Sequence, residues 1–215
     1  MKKIIAIFSV MLLLSAAVKI AFLNMNAERP NIQEFEMGTE VFYEDNYYED
    51  SSEIRNGYSI TVLSAKIIKT DDFLQEHQIK ELNIPKDIDD PFIQYVPEYV
   101  FDVEVKVKNI NNNNENSGID LYNTILAADD FKLQVDDKIW SALYPQLNSI
   151  KKFKLVENSE AIIHFPYAIS YGDAELQHSV TSDMLYKTDF QLVLSKYPVD
   201  MRVNIHSDSY PRSYQ

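Results

Sequence analysis

The chain has 215 residues, of which 46% are hydrophobic and 25% are charged, a balance that is typical of a folded protein and excludes a disordered one. It contains no cysteine, which excludes disulfide frameworks, thiolate metal sites and cysteine nucleophiles. Its four glycines leave no glycine-rich loop for a phosphate, and the formal net charge of −13 argues against a nucleic-acid partner, because phosphate binding needs a basic surface.

The first 27 residues form a basic and apolar leader. Lys2 and Lys3 precede an apolar run from Ile4 to Leu23 that Lys19 alone interrupts. As a helix of about 20 residues, this run would span about 30 Å, which is enough to cross the hydrocarbon core of a bilayer. We therefore expect residues 1–27 to be an uncleaved signal anchor that contacts the membrane through Ile4–Leu23.

Two alternatives to the anchor stay open. The small residues Ser15, Ala16 and Ala17 could form a cleavage site, so that a secreted protein would be released near Ala17. The apolar run continues beyond them to Leu23, which a cleaved signal does not need, so the anchor is favoured. A buried helix of a soluble protein is the other alternative. Both membrane-related interpretations export residues 28–215, since a basic N-terminus stays in the cytoplasm.

Residues 28–56 are polar and acidic and have no persistent helical or strand period, so they are predicted to be a tether. The folded domain is expected to begin at Gly57 and to extend to residue 215. Tyr47 and Tyr48 lie among the acids of the tether. A tyrosine ring offers a large contact area with little rotamer entropy to lose, so these two residues are weak candidates for binding a ligand.

Beyond residue 57 the hydrophobic pattern has a period of two. In the first such segment, which begins at Tyr58, the alternation slips after Val62, which indicates a β-bulge or a strand buried on both faces. The clearest strand is Val100 to Ile110, where apolar and polar residues alternate without a break. The residues expected to face the core are Phe101, Val103, Val105 and Val107, and those expected to face outward are Asp102, Glu104, Lys106 and Lys108.

The other predicted elements are short. They are a helix from Phe73 to Leu82, an exposed turn from Asn109 to Gly118 and a crossover that places Trp140 in the core. Further strands are expected at 119–127 and 131–135, as a hairpin-like pair at 153–156 and 161–169, and at 190–194 and 199–205. Seven to eight short strands with almost no long helix predict an all-β fold of two packed antiparallel sheets.

Three segments carry a family resemblance. They are Tyr99 to Asn109 (YVFDVEVKVKN), Phe190 to Leu194 (FQLVL) and Tyr197 to Val199 (YPV), which follow the basic leader and the acidic segment. Together these features resemble the uncharacterised, membrane-anchored, extracellular immunoglobulin-like domain families of Gram-positive bacteria. The resemblance covers residues 57–206 and implies an immunoglobulin-like β-sandwich outside the cell. It brings no catalytic residues and no cofactor.

Candidate metal ligands are few. Asp87, Asp89 and Asp90 form the densest local group of carboxylates and are weak candidates for a cation site, although they lack the spacing of a calcium-binding loop. The four histidines are His77, His164, His178 and His206. No two of them lie within five residues of each other, so a local zinc pair is absent and a site built from distant strands is less expected than solvent-facing histidines.

The predicted function is binding. We expect a cell-surface module that recognises a protein, a peptide or a wall polymer through loops 71–98, 109–118 and 170–189. An alternative is a structural accessory subunit of a membrane or cell-envelope complex. An enzyme is the least expected class, since no nucleophile elbow or catalytic motif is present and no cofactor is predicted.

Overall fold

A computed structural model describes residues 11–20, 22, 31–50, 52–82, 96–129, 131–147, 152–169 and 188–206. The chain divides into two units, Met1–Pro30 and Asn31–Gln215. In the first unit, residues 11–20 and 22 are helical, and residues 4–10 of the expected anchor lie outside the described residues. Over the described ranges, no helix combines the length and the apolar character that a membrane crossing requires.

The described part of the second unit is built mainly from strands. Its strands are β1 (Asn31–Glu36), β2 (Val41–Phe42), β3 (Tyr58–Lys69), β4 (Tyr99–Asn109), β5 (Ile119–Asp120), β6 (Ile125–Ala127), β7 (Lys132–Leu133), β8 (Lys152–Phe153), β9 (Ser159–Ile169), β10 (Phe190–Val193) and β11 (Val199–Ile205). Two short helices, α1 (Thr70–Glu76) and α2 (Asp137–Leu143), and two 3-10 turns, Leu121–Asn123 and Pro145–Leu147, complete it.

The strands form three sheets. A five-stranded sheet has the order β1-β11-β10-β6-β7, a four-stranded sheet has the order β2-β3-β4-β9, and β5 pairs with β8. Every described pairing between these strands is antiparallel except that of β1 with β11, which is parallel. The prediction of a mostly β chain with antiparallel sheets is therefore confirmed.

The slip in the alternation of β3 is a β-bulge. The register against β4 shifts between Val62 and Ser64, and the extra residue, Leu63, is 39% exposed. The inserted residue shifts the alternation of inward and outward side chains by one position, so apolar side chains before and after Leu63 both point into the core. These are Tyr58, Ile60, Ala65 and Ile67.

One hydrophobic core receives side chains from both larger sheets. The rings of Phe101 on β4 and Phe190 on β10 meet edge to face, with centroids 4.9 Å apart. Trp140 on α2 is fully buried against Phe153 and Phe165, which confirms its predicted place in the core. Burying each such side chain contributes about 1.5–3 kcal/mol of hydrophobic free energy.

A second, smaller apolar cluster lies on the outer face of the four-stranded sheet. It joins Phe73 of α1, Val100 of β4 and Ile139 of α2. α1 and α2 therefore cover part of the outer face of the sheet, which the alternation of apolar and polar residues in β4 predicts to be exposed to solvent. Asp102, predicted to face outward into solvent, does lie on this outer side of the sheet but is only 2% exposed because of this cover.

The predicted tether differs from the structure over its described residues. β1 pairs with β11 and β2 pairs with β3, while Tyr43 and Arg55 are buried, so the folded unit includes residues from Asn31 onward. The pattern gave no sign of β1 because it is an edge strand whose side chains are mostly exposed.

Two local predictions are also corrected. The expected hairpin of 153–156 with 161–169 does not form, because β8 pairs with β5 and β9 pairs with β4. The helix expected at Phe73–Leu82 begins earlier and ends earlier, at Thr70–Glu76. Thr70 is held at its start by a hydrogen bond from its hydroxyl to the carbonyl oxygen of Pro97, a contact between distant residues that a local pattern does not contain.

Candidate functional site

The loop that carries Tyr47 and Tyr48 is organised by the carboxylate of Glu53. The backbone N–H groups of Tyr48, Glu49 and Asp50 donate hydrogen bonds to its two oxygens over 3.2, 2.9 and 3.3 Å. Asn123 donates a further side-chain hydrogen bond over 2.8 Å. A carboxylate with this many donors fixes the backbone of the loop in one conformation.

Glu53 is tied to the core through Arg55. The guanidinium of Arg55 is ion-paired with Glu53, is only 1% exposed, and donates a hydrogen bond to the carbonyl oxygen of Leu194 over 2.8 Å. It also lies 5.3 Å from the ring centroid of Tyr43, a buried tyrosine whose pKa is raised by burial. The loop is therefore anchored by a buried cation whose charge is compensated.

Tyr47 and Tyr48 contact the segment that precedes β11. Tyr47 exchanges backbone hydrogen bonds with Tyr197, and the two rings stack with centroids 5.9 Å apart. The ammonium group of Lys196 lies 5.6 Å from the ring centroid of Tyr48. Burial, followed by the charge of Glu49, raises the pKa of Tyr48, so its hydroxyl stays protonated at neutral pH and can donate a hydrogen bond.

Two adjoining concavities open beside these rings, with volumes of about 530 and 600 Å³. They share Glu49 and Asn123. We call the combined surface the tyrosine groove, and its lining residues are Tyr47, Tyr48, Glu49, Asp50, Glu53, Asp120, Tyr122, Asn123, Ile125, Gln134 and Tyr197. None of these lining residues is basic, so the described surface of the groove combines aromatic rings with carboxylates.

Sequence reasoning identified part of this site. Tyr47 and Tyr48 were predicted as binding candidates, and the structure places both in the groove. Tyr122 and Tyr197, which are 54% and 48% exposed, were missed because they come from distant parts of the chain. Their proximity depends on the pairing of Tyr47 with Tyr197, for which the local pattern has no signal.

The other predicted site residues have different outcomes. Asp87, Asp89 and Asp90 lie outside the described residues, as do residues 83–95 of loop 71–98 and residues 170–187 of loop 170–189. The turn 109–118 is described, and it folds back on itself through hydrogen bonds of the Asn109 side chain with Asn112. No residue of this turn is among those that line the groove.

A second polar cluster lies on the outer face of the four-stranded sheet. His164 Nδ1 lies 3.0 and 3.1 Å from the two carboxylate oxygens of Asp102, and His77 Nε2 lies 3.7 Å from one of them. The two imidazole rings meet edge to face with centroids 4.6 Å apart. We call these three residues the His–Asp–His cluster; sequence reasoning missed it, because β4, β9 and the end of α1 contribute one residue each.

The two histidines of this cluster have opposite pKa shifts. Burial, followed by repulsion from His164, lowers the pKa of His77. Burial also disfavours the charged form of His164, but the hydrogen bond and the charge of Asp102 outweigh it and raise the pKa of that residue. Although His77 lies near Asp102, its lowered pKa makes it a neutral imidazole at pH 7 rather than an ion-pair partner.

Comparison with protein families gives a match for residues 32–201, to the family described as Domain of unknown function (DUF5028). Comparisons with curated proteins and with solved structures give no match. The family description assigns no ligand to the tyrosine groove and none to the His–Asp–His cluster.

Proposed function

The chain belongs to the family described as Domain of unknown function (DUF5028), and we propose that it is a binding module whose tyrosine groove takes a lysine- or arginine-bearing protein segment. The observation that carries the proposal is the composition of the groove, in which four tyrosines lie beside the carboxylates of Glu49, Asp50 and Asp120, and no basic residue is among the lining side chains. A fourth carboxylate, that of Glu53, is already paired with Arg55. Cationic side chains are attracted by carboxylates and by the faces of aromatic rings.

The rigidity of the groove supports the same role. Glu53 holds the backbone of residues 48–50, and Arg55 ties Glu53 to the core, so the rings and acids are in place before a partner arrives. A site that is ordered in advance loses less conformational entropy on binding. Exposed Glu49 and Asp50 remain accessible to a cationic partner.

We also propose that the two larger sheets form an immunoglobulin-like sandwich. If β3, β4 and β9 are taken as strands A, B and E, and β6, β7, β10 and β11 as strands C, C′, F and G, both sheet orders agree with those of that fold. The covering helices α1 and α2 would be additions to it. Display outside the membrane, by an anchor within residues 1–27, stays part of the proposal and is supported by the basic and apolar leader.

The proposal is tested with the full-length chain and a fluorescent octapeptide of alternating lysine and glycine. We expect saturable binding that weakens as salt is added, because screening reduces the attraction between exposed charges. The double variant Glu49→Gln, Asp50→Asn removes two charges of the groove and should weaken binding about fivefold or more, in line with about 0.5 kcal/mol for each exposed pair.

The matched control is Glu157→Gln, Glu160→Gln, which removes two exposed charges that are not among the groove-lining residues. It should bind the peptide as the unmodified chain does. Equal weakening by both double variants would contradict the proposal, since the peptide would then sense only the net charge. Preference for a neutral wall oligosaccharide over the lysine peptide would assign the groove to carbohydrate and overturn the basic-segment partner.

A further inference from the structure

The His–Asp–His cluster has the donor atoms of a transition-metal site. All three potential ligand atoms, one from each of His77, Asp102 and His164, lie within 4.8 Å of one another. Zinc binds nitrogen and oxygen at about 2.0–2.2 Å, so tetrahedral ligands lie about 3.3–3.6 Å apart. The contacts of Asp102 with His164 at 3.0 Å and with His77 at 3.7 Å differ from that spacing by only a few tenths of an ångström.

The environment of His77 points to a missing ligand. Its Nε2 atom is buried and has no hydrogen-bond partner among the described residues, although it lies 3.7 Å from a carboxylate oxygen of Asp102. A buried polar atom without a partner destabilises the folded state, and native structures rarely leave one without a reason. A cation bound between the imidazole and the carboxylate would give this nitrogen its partner.

From these contacts we propose that His77 Nε2, His164 Nδ1 and the Asp102 carboxylate bind one divalent zinc-type ion. Two imidazoles and one carboxylate favour zinc, copper or nickel over calcium and magnesium, which prefer all-oxygen sites. Three protein ligands leave a fourth position for water or for a group of a partner. None of the three residues lines the tyrosine groove, so the site is independent of the proposed function.

The surroundings fit a bound cation. Among the lysines and arginines that the structure describes, Lys66 lies nearest, 4.0 Å from Asp102, but its ammonium is paired with Glu76 over 2.6 Å, which compensates its charge. The position of His164 is fixed from behind, because its backbone N–H donates to the hydroxyl of Tyr144 over 2.7 Å.

The proposal is tested by titrating the chelator-treated full-length chain with Zn²⁺ against a chromophoric chelator. We expect one tightly bound equivalent per chain. His77→Gln and His164→Gln should each weaken binding at least about tenfold, the loss that even outer partners of a metal site produce. His206→Gln is the matched control, since that histidine is exposed and bonded to Glu36, and it should bind as the unmodified chain does.

Two further measurements separate a metal site from a loss of fold. Lys66→Met keeps all three ligands and removes the nearest positive charge, so it should bind Zn²⁺ more tightly than the unmodified chain. Co²⁺ should give the visible absorption of a four-coordinate site, and His77→Gln should abolish it. The proposal is overturned if Zn²⁺ does not saturate, if both histidine variants bind it normally, or if Ca²⁺ competes at equal concentration.

Discussion

The carboxylate of Asp102 lies on the outer face of the four-stranded sheet, where α1 and α2 cover it. Asp102 is therefore buried, although it is not part of the hydrophobic core. A buried charge needs compensation, and the groups that face it are His164 of β9, His77 at the end of α1 and Lys66 of β3. Only His164 is within hydrogen-bond distance. His77 and Lys66 make no hydrogen bond with Asp102, so the binding of a proton or of a cation can change their interaction with this carboxylate.

His77 should make the folded state sensitive to acid. Its pKa is lower in the folded chain than its ordinary value of 6.5, so the unfolded chain binds more protons as the pH falls through that value. The contribution of His77 to the free energy of unfolding should therefore decrease as the pH is lowered from 8 to 5.5 in a chelator-containing buffer, whereas that of His164, whose pKa is raised, should increase. Lys66 and Glu76 also face this imidazole, and the hydrogen bond from Lys66 lowers the pKa of Glu76, so that carboxylate stays ionised across this range.

The variant His77→Gln should lose less stability over the same interval, as measured by urea unfolding at each pH. The variant removes the titrating group. It also removes the repulsion that opposes protonation of His164, so both effects reduce the loss of stability in acid. His206→Gln, which changes an exposed histidine, should follow the unmodified chain. A steeper loss of stability with acid in His77→Gln than in the unmodified chain would contradict this assignment.

At the level of single residues, the sequence predicts what depends on composition and fails where contacts are distant. Tyr47 and Tyr48 could be selected because aromatic rings among acids are unusual. Asp102 was assigned to solvent because alternation shows which face of a strand a residue occupies and does not show what covers that face. The partners of each cluster come from different strands, which no local spacing reveals.

Among the elements, β3 and β4 show how strongly alternation specifies pairing. On both sides of Leu63 the register against β4 is continuous, since Val62 pairs with Val105 and Ser64 pairs with Glu104. Leu63 is therefore an insertion into a ladder that is otherwise regular. The period of two predicted β4 and the position of this bulge, and the patterns of β10 and β11 were also sufficient to predict them.

Deleting Leu63 should consequently be tolerated. The alternation of β3 becomes uninterrupted without it, and we expect a stability loss below about 2 kcal/mol by urea unfolding, within the range of ordinary point changes. Deleting Lys106 from β4 is the matched control. It changes the phase of one half of that strand against both neighbours, turning core residues outward, and should prevent folding as judged by near-ultraviolet circular dichroism.

A Lys106 deletion that folds as well as the Leu63 deletion would show that pairing with β3 and β9 does not set the register of β4.

The strands that the sequence did not predict are short or lie at the edge of a sheet. β1 exposes most of its side chains, and β2 contains only two residues, so neither strand has a pattern that distinguishes it from a loop.

Across the whole molecule, the N-terminal strands close the fold. β1 covers the edge of β11, and β2 with Tyr43 and Arg55 completes the core beside β3. Three of the four acids of the tyrosine groove, Glu49, Asp50 and Glu53, lie in the same stretch, between β2 and β3. The segment that the sequence suggested as a tether therefore supplies both structure and binding surface, and this can be tested by truncation.

A fragment that begins at Asn31 should keep the stability of the folded unit, because every described strand is retained. A fragment that begins at Glu40 lacks β1, so it exposes the backbone of β11 and should be about 2 kcal/mol less stable, which corresponds to a melting temperature about 4–8 °C lower. An unpaired strand edge also promotes association, so this fragment should form dimers or larger species in light scattering.

A fragment that begins at Gly57 also lacks β2 and the buried side chains of Tyr43 and Arg55. Arg55 joins Glu53 and the groove loop to the carbonyl oxygen of Leu194, so its loss removes a link between the N-terminal segment and the end of β10. The loss of these buried side chains also leaves part of the core unfilled. That fragment should show no cooperative thermal unfolding, whereas a stable fold from Gly57 onward would restore the tether interpretation.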